Sequence, residues 1–122
     1  MKILLVDDDA FLRDMYATKF TEHDHQVETA DSPGTAITKL EQTQDFDVIL
    51  LDMIMPGMTG VDLIKIIKEK FPDMKADCIV LSNQGQNEDI DEAKAAGAIG
   101  YIIKAESIPS DVVKKVESLT KK

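Results

Sequence analysis

The sequence has one cysteine, no tryptophan and no long apolar stretch, and each shortage excludes a class of protein. A lone thiol, Cys78, cannot form an internal disulfide, and its position in the apolar run 78–81 favours a buried structural role. No segment approaches the roughly 20 apolar residues of a membrane-spanning helix. The N-terminal apolar run, residues 3–6, ends in aspartates and does not resemble a signal peptide. We therefore expect a cytoplasmic protein without membrane insertion.

Positive charge is also scarce, because 14 Lys and Arg stand against 23 Asp and Glu and give a net charge of −9. Nucleic-acid binding requires a surplus of basic residues that neutralise phosphates, so we expect no direct contact with nucleic acid. A length of 122 residues predicts one domain over residues 1–122. That domain is either a complete protein or part of a longer one.

Short apolar runs alternate with amphipathic segments along the whole chain, which predicts strands at 3–6, 26–30, 46–52, 77–81 and 101–103. Helices are predicted at 10–22, from 33 onward, between Thr59 and Pro72, at 87–96, and from 109 or 110 to near 120. The last helix is expected to bury Val112, Val113, Val116 and Leu119. Strict alternation favours right-handed crossovers and a parallel sheet. The predicted fold is therefore α/β, a doubly wound five-stranded parallel sheet of order 2-1-3-4-5 with five helices.

Polar side chains follow four of the predicted strands at the carboxyl edge of the sheet. In this strand order the first and third strands are neighbours, so the carboxylates at their ends converge beside the crevice where ligands bind. Carboxylates so close together repel one another unless a cation lies among them, and magnesium prefers such oxygen ligands. The residues at this edge are Asp7, Asp8, Asp52, Ser82 and Lys104.

Asp52 is a candidate nucleophile toward phosphorus, since aspartyl phosphates are a known covalent route. Phosphoryl transfer needs mainly in-line positioning and neutralisation of the phosphoryl oxygens, which magnesium, Lys104 and Ser82 can supply. Each residue alone has a simpler explanation as a helix cap, a turn residue or a solvated strand end. Their joint placement at one edge favours the functional interpretation.

Five segments carry a resemblance to a known family. They are 2–8, 51–60, 81–82, 95–98 and 101–104. On these segments the chain resembles the receiver domain of two-component response regulators, in particular stand-alone chemotaxis regulators, over essentially its whole length. The resemblance implies a flavodoxin-like fold and a signalling switch in a phosphorelay.

The resemblance also implies roles for individual residues. Asp52 would accept a phosphoryl group from a phosphohistidine in a sensor histidine kinase or phosphotransfer protein, or from a small donor such as acetyl phosphate. Asp8 and Asp52 would bind Mg²⁺ directly, Asp7 would act through water, and Ile54 would offer its backbone carbonyl.

Three further residues would respond to the phosphoryl group. Lys104 would pair with its oxygens, Ser82 would move to hydrogen-bond it, and Tyr101 would swing inward. The helix at 87–96, the fifth strand and the last helix would form the output surface for a partner that the sequence does not identify. Acidic residues on that fourth helix and lysines on the last one lead to the hypothesis of a phosphorylation-dependent homodimer.

The sequence departs from the family pattern beside the site. Ala105 follows Lys104 where the family usually has a cis proline, so we expect a trans bond there. Asn83 replaces a smaller residue and is expected to narrow access for phosphodonors. Ile54 and Gln84 occupy positions that border the approach of hydrolytic water in receiver domains. We expect exclusion of water by Ile54 to prevail and the phosphorylated form to be long-lived.

Three other function classes are compatible with parts of this pattern. A phosphorylation-independent binding module on the same fold is the main alternative. A phosphatase with an aspartyl-phosphate intermediate usually has a second acid two residues after the nucleophile, where this chain has Ile54. A flavodoxin-type cofactor carrier is disfavoured, since the chain has no tryptophan and no glycine-rich or Ser/Thr-rich phosphate loop after the first strand. We expect no enzymatic activity beyond catalysis of the chain's own phosphorylation and dephosphorylation.

Overall fold

The computed structural model describes residues 1–83 and 85–120. Five of its strands form one parallel sheet: β1 (Lys2–Val6), β2 (Gln26–Ala30), β3 (Val48–Leu51), β4 (Asp77–Ser82) and β5 (Ala98–Ile103). The helices are α1 (Ala10–Glu22), α2 (Pro33–Gln42), α3 (Gly60–Lys70), α4 (Asn87–Ala96) and α5 (Pro109–Thr120). The sheet order is β2-β1-β3-β4-β5, and every neighbouring pair is parallel. The predicted flavodoxin-like fold is confirmed.

Local sequence explains where the helices begin and end. The Asp9 carboxylate accepts the Leu12 N–H at 3.0 Å and starts α1, and Ser32 caps α2 in the same way. Thr59 and Asp62 form a reciprocal capping box that starts α3. Gly97, with φ of +116°, ends α4 in the left-handed conformation that glycine tolerates.

The core lies on both faces of the sheet. Every residue of β3 is buried, as expected for a central parallel strand covered by helices on either side. One cluster joins alternate strand residues such as Leu4 and Ile49 to α2 and α3, and the other joins Ile3 and Leu50 to α1 and α5. Among the described residues, no helix combines the length and apolar character needed to cross a membrane.

Several element boundaries differ from the sequence-based prediction. β3 begins at Val48 rather than at residue 46, and β5 begins at Ala98, three residues earlier than predicted. The prediction that Leu119 is buried was wrong, because its side chain lies over Gly100 at the edge of the core and is 40% exposed. The prediction also missed the antiparallel hairpin of Ile54–Met55 and Met58–Thr59 and the 3-10 helix Lys104–Glu106.

Candidate functional site

Three carboxylates meet at the carboxyl edge of the sheet. Asp7 and Asp8 follow β1, and Asp52 follows β3, whose Leu51 lies opposite Val6 in the ladder. One carboxylate oxygen of each aspartate lies within 4.8 Å of the others. Asp7 is buried, Asp52 is half-buried and Asp8 is exposed, so the cluster opens to solvent on the Asp8 side. This donor set fits a hard divalent cation that keeps part of its water shell.

Three oxygen atoms of the buried Asp7 accept hydrogen bonds. Its Oδ1 accepts the Asp9 N–H at 2.9 Å, and its Oδ2 accepts a hydrogen bond from Lys104 Nζ at 2.9 Å. Its main-chain carbonyl accepts a hydrogen bond from Arg13 Nη1, also at 2.9 Å. Since each carboxylate oxygen already has a donor, Asp7 is suited to act on a cation through water.

Lys104, directly after β5, contacts the carboxylates of both Asp7 and Asp52. Its Nζ lies 2.9 Å from Asp7 Oδ2 and 3.0 Å from Asp52 Oδ2, and its side chain is only 6% exposed. Burial alone would lower the pKa of Lys104, but the hydrogen bonds and negative charges of the two carboxylates outweigh that effect and raise it. The group is therefore an ammonium at neutral pH, in position to pair with anionic oxygens at Asp52.

The loop after Asp52 is shaped by a close backbone approach. The Gly60 N–H donates to the Met53 carbonyl at 2.7 Å, and a Cβ at Gly60 would overlap the Asp52 carbonyl oxygen. Only glycine permits this packing. The Ile54 N–H lies 3.4 Å from Asp52 Oδ1, while the Ile54 side chain is 57% exposed at the rim of the site. Gln84, the other predicted border residue, lies outside the described residues.

Ser82 and Tyr101 lie on the adjacent strands β4 and β5. Ser82 is 1% exposed and ends β4 beside Lys104's strand, and Tyr101 is half-buried against the core. Burial raises the pKa of Tyr101, a hydrogen bond with Ser82 opposes that shift, and the charges of Asp89 and Asp52 add to it. Two of the three residues predicted to respond to phosphorylation, Ser82 and Tyr101, are thus joined by a hydrogen bond.

A groove of about 350 Å³ borders Lys104 on the side of α1. Asn83, which is exposed, and Ala105 line it together with the lysine. The Lys104–Ala105 peptide bond is trans, as the sequence predicted. The effect of Asn83 on donor access stays a prediction.

Sequence reasoning missed two residues on α1 near the site. Tyr16, a buried residue of α1, lines the same groove as Lys104. Burial raises the pKa of Tyr16, the charge of Lys104 opposes the shift, and Asp7 and Asp52 add to it. Arg13 was not considered. Its position one helical turn after the capping Asp9 was the available signal, because a long side chain there can return to the loop before the helix.

Comparison with known proteins identifies a family for the chain. The model of the response regulator receiver domain family matches residues 3–117. The chemotaxis protein CheY of Thermotoga maritima is 35% identical over 121 residues, which cover 98% of each chain. The transcriptional regulatory protein ResD of Bacillus subtilis is 31% identical over 99% of this chain. This chain spans about half of ResD, 48% of its length.

Solved structures agree with this result. Chemotaxis protein CheY4 of Vibrio cholerae has a TM-score of 0.88 at 30% identity, with 97% of each chain covered. A CheY-like receiver domain protein of Methanospirillum hungatei has a TM-score of 0.86 at 27% identity, covering 98% of this chain and 92% of that one.

Receiver domains are signalling switches rather than ordinary enzymes, and they interact with histidine kinases or phosphotransfer proteins. The site described above lies inside the matched residues. This chain covers the Thermotoga maritima CheY and the Vibrio cholerae CheY4 almost from end to end. This chain belongs to the response regulator receiver domain family of two-component systems.

Proposed function

We propose that the chain is a phosphorylation-activated switch of a phosphorelay in which Asp52 accepts the phosphoryl group. The donor would be a phosphohistidine of a sensor histidine kinase or phosphotransfer protein, or a small phosphodonor. The observation that carries the proposal is the convergence of Asp7, Asp8, Asp52 and Lys104 on one edge of the sheet. A cytoplasmic location, where such donors occur, remains a prediction.

In the proposed transfer, an Asp52 oxygen forms a bond to phosphorus while the donor's phosphorus–nitrogen bond breaks and the imidazole leaves with the electron pair. Lys104 already donates to Asp52 Oδ2, so its ammonium needs little movement to reach a phosphoryl oxygen. Asp8, Asp52 and the Ile54 carbonyl would hold Mg²⁺ directly and Asp7 through water. Bound Mg²⁺ would neutralise charge on the phosphoryl oxygens. The domain would thereby catalyse its own phosphorylation and dephosphorylation.

The proposed signal passes from Ser82 to the surface through Tyr101. A phosphoryl oxygen on Asp52 would compete for the Ser82 hydroxyl, which is now engaged with Tyr101. Tyr101 also lines a groove of about 540 Å³ between α4, β5 and α5, together with Ile90 and Leu119. A new position of its ring would therefore change the surface that we propose for an output protein.

The same surface is proposed to form a phosphorylation-dependent homodimer. The exposed face of α4 is acidic, and its residues are Glu88, Asp89, Asp91 and Glu92. Lys114 and Lys115 are exposed on α5, so two facing copies can match opposite charges. Ile99 and Leu119, each 40% exposed, add apolar area beside these charges. Light scattering with and without beryllofluoride should show a rise in mass only with the anion. A monomer in both conditions would contradict the dimer.

The function is tested by incubation with radiolabelled acetyl phosphate in the presence and absence of Mg²⁺. A switch should incorporate label that depends on Mg²⁺ and is lost on treatment with hydroxylamine, which cleaves acyl phosphates. A phosphorylation-independent binding module, the alternative, would take up no label under either condition.

A further inference from the structure

We infer that Arg13 is a positioning residue that sets the geometry of the metal site through the main chain of Asp7. The inference rests on the proposed function, since it concerns how the chain would hold Mg²⁺. Its basis is the hydrogen bond of 2.9 Å from Arg13 Nη1 to the Asp7 carbonyl oxygen, which is partly buried. No other hydrogen bond among the described residues joins α1 to the peptide unit between the two neighbouring aspartates.

The carbonyl that Arg13 binds belongs to the peptide unit between Asp7 and Asp8. Because that unit is planar, fixing its oxygen fixes the direction in which the chain enters Asp8. The two side chains diverge at this point, since Asp7 is 1% exposed and Asp8 is exposed to solvent. Their relative placement therefore depends on the orientation of one peptide plane.

The rest of the turn is held at other atoms. The Asp7 N–H donates to the Ala30 carbonyl at 3.1 Å, and the Asp7 carboxylate is fixed by Asp9 and Lys104. These bonds fix the Asp7 N–H, which precedes the peptide plane, and the Asp7 side chain. They do not fix the plane itself, whose carbonyl is bound by Arg13. Loss of Arg13 should thus disturb Asp8 more than Asp7.

Charge and position predict opposite effects for this residue. The guanidinium is always protonated and lies close to a site for a divalent cation, so its charge alone weakens binding of Mg²⁺. If Arg13 acted only through its charge, removal of that charge would tighten binding. If Arg13 orients the peptide plane, its removal should weaken binding despite the gain in electrostatics.

The experiment is isothermal titration calorimetry, in which MgCl₂ is added to the unphosphorylated protein. It is carried out on the unaltered chain and on three variants. Arg13→Gln should raise the dissociation constant by about 10-fold, the lower end of the losses seen when groups that orient metal ligands are removed. Arg13→Lys retains an N–H donor and the charge. Its dissociation constant should lie between those of the unaltered chain and Arg13→Gln. Lys19→Gln removes a charge from the same helix at an exposed pair with Glu22 and should leave the constant unchanged.

Thermal unfolding in Mg²⁺-free buffer separates a local effect from a loss of folding. Arg13→Gln should melt within a few degrees of the unaltered chain, and if it does not fold, the intermediate constant of Arg13→Lys decides. Binding by the folded Arg13 variants as tight as or tighter than that of the unaltered chain would overturn the inference while leaving the metal site intact. No binding by the unaltered chain would overturn the proposed metal site itself.

Discussion

Lys104 Nζ donates a hydrogen bond to Asp52 Oδ2 at 3.0 Å, across a site where both side chains are largely buried. The ammonium occupies the place beside the proposed acceptor where extra negative charge would arise. It also compensates Asp7, whose side chain is 2% exposed. Before any phosphoryl group arrives, Lys104 therefore stabilises the fold as well as the site.

Replacement of Lys104 separates these two contributions. Lys104→Met leaves the buried Asp7 carboxylate without its cation, which should lower the free energy of unfolding by about 3 kcal/mol in Mg²⁺-free buffer. Urea denaturation measures this loss. Because the variant also removes a charge that repels a dication, Mg²⁺ should raise its melting temperature by more than that of the unaltered chain. An equal or smaller rise would contradict this view of Lys104.

Mg²⁺ should stabilise the unphosphorylated protein, because it relieves repulsion among the three carboxylates and binds the folded state. Differential scanning fluorimetry should show a melting temperature that rises with MgCl₂. The rise should shrink in Asp8→Ala and persist in Asp9→Asn, which removes a nearby charge but keeps the helix cap. If Asp8→Ala responds as strongly as the unaltered chain, the cation binds elsewhere.

The phosphorylated form should be long-lived, and Ile54 should contribute to that lifetime. Its side chain lies at the rim of the site, is apolar and cannot orient a water by side-chain hydrogen bonds. Ile54→Asn should shorten the half-life of the phosphoryl group several-fold in a filter-binding assay. Ile99→Asn, at an exposed apolar residue of β5, is the matched control. A half-life unchanged or longer in Ile54→Asn would refute this role.

Cys78 should make stability depend on pH under alkaline conditions. Burial raises the pKa of its thiol from 9.0 to about 11, so above pH 9 the unfolded chain loses the proton before the folded chain does. The folded state then binds more protons, and stability falls as pH rises from about 9 to 11. The thiol's share of this loss is about 1.4 kcal/mol at pH 10. Urea denaturation at pH 8 and pH 10 under reducing conditions should show a smaller decline in Cys78→Ala, and an identical decline would contradict the burial effect.

The placement of the site could be predicted because it follows from strand order. Asp7, Asp52 and Lys104 each come directly after an apolar run, and the carboxyl ends of parallel strands share one edge. No contact between the side chains had to be known for that step. The helix caps at Asp9 and Thr59 were equally accessible, because they depend on residues three positions apart.

Other features depend on tertiary contacts that leave no periodic pattern. The hairpin of Ile54–Met55 and Met58–Thr59 has strands of two residues, too short for alternation to be visible. Gly100 disfavours a strand locally, yet β5 pairs with β4 from Ala98 onward across a register shift. The missing Cβ of Gly100 also makes room for the Leu119 side chain, which stays 40% exposed. The bond from Arg13 to the Asp7 carbonyl depends on a rotamer of a long side chain, which spacing alone does not determine.

Mapping the site of phosphorylation tests most directly whether Asp52 is the phosphoacceptor. Asp52→Asn and Asp9→Asn each remove one carboxylate charge from the same edge of the sheet, so they are matched for electrostatics. With radiolabelled acetyl phosphate and Mg²⁺, Asp9→Asn should take up label as the unaltered chain does, and Asp52→Asn should take up none. Reduction of the labelled protein with borohydride, followed by peptide mass spectrometry, should place the modification at residue 52. Persistent labelling of Asp52→Asn would contradict the assignment of Asp52 as the phosphoacceptor.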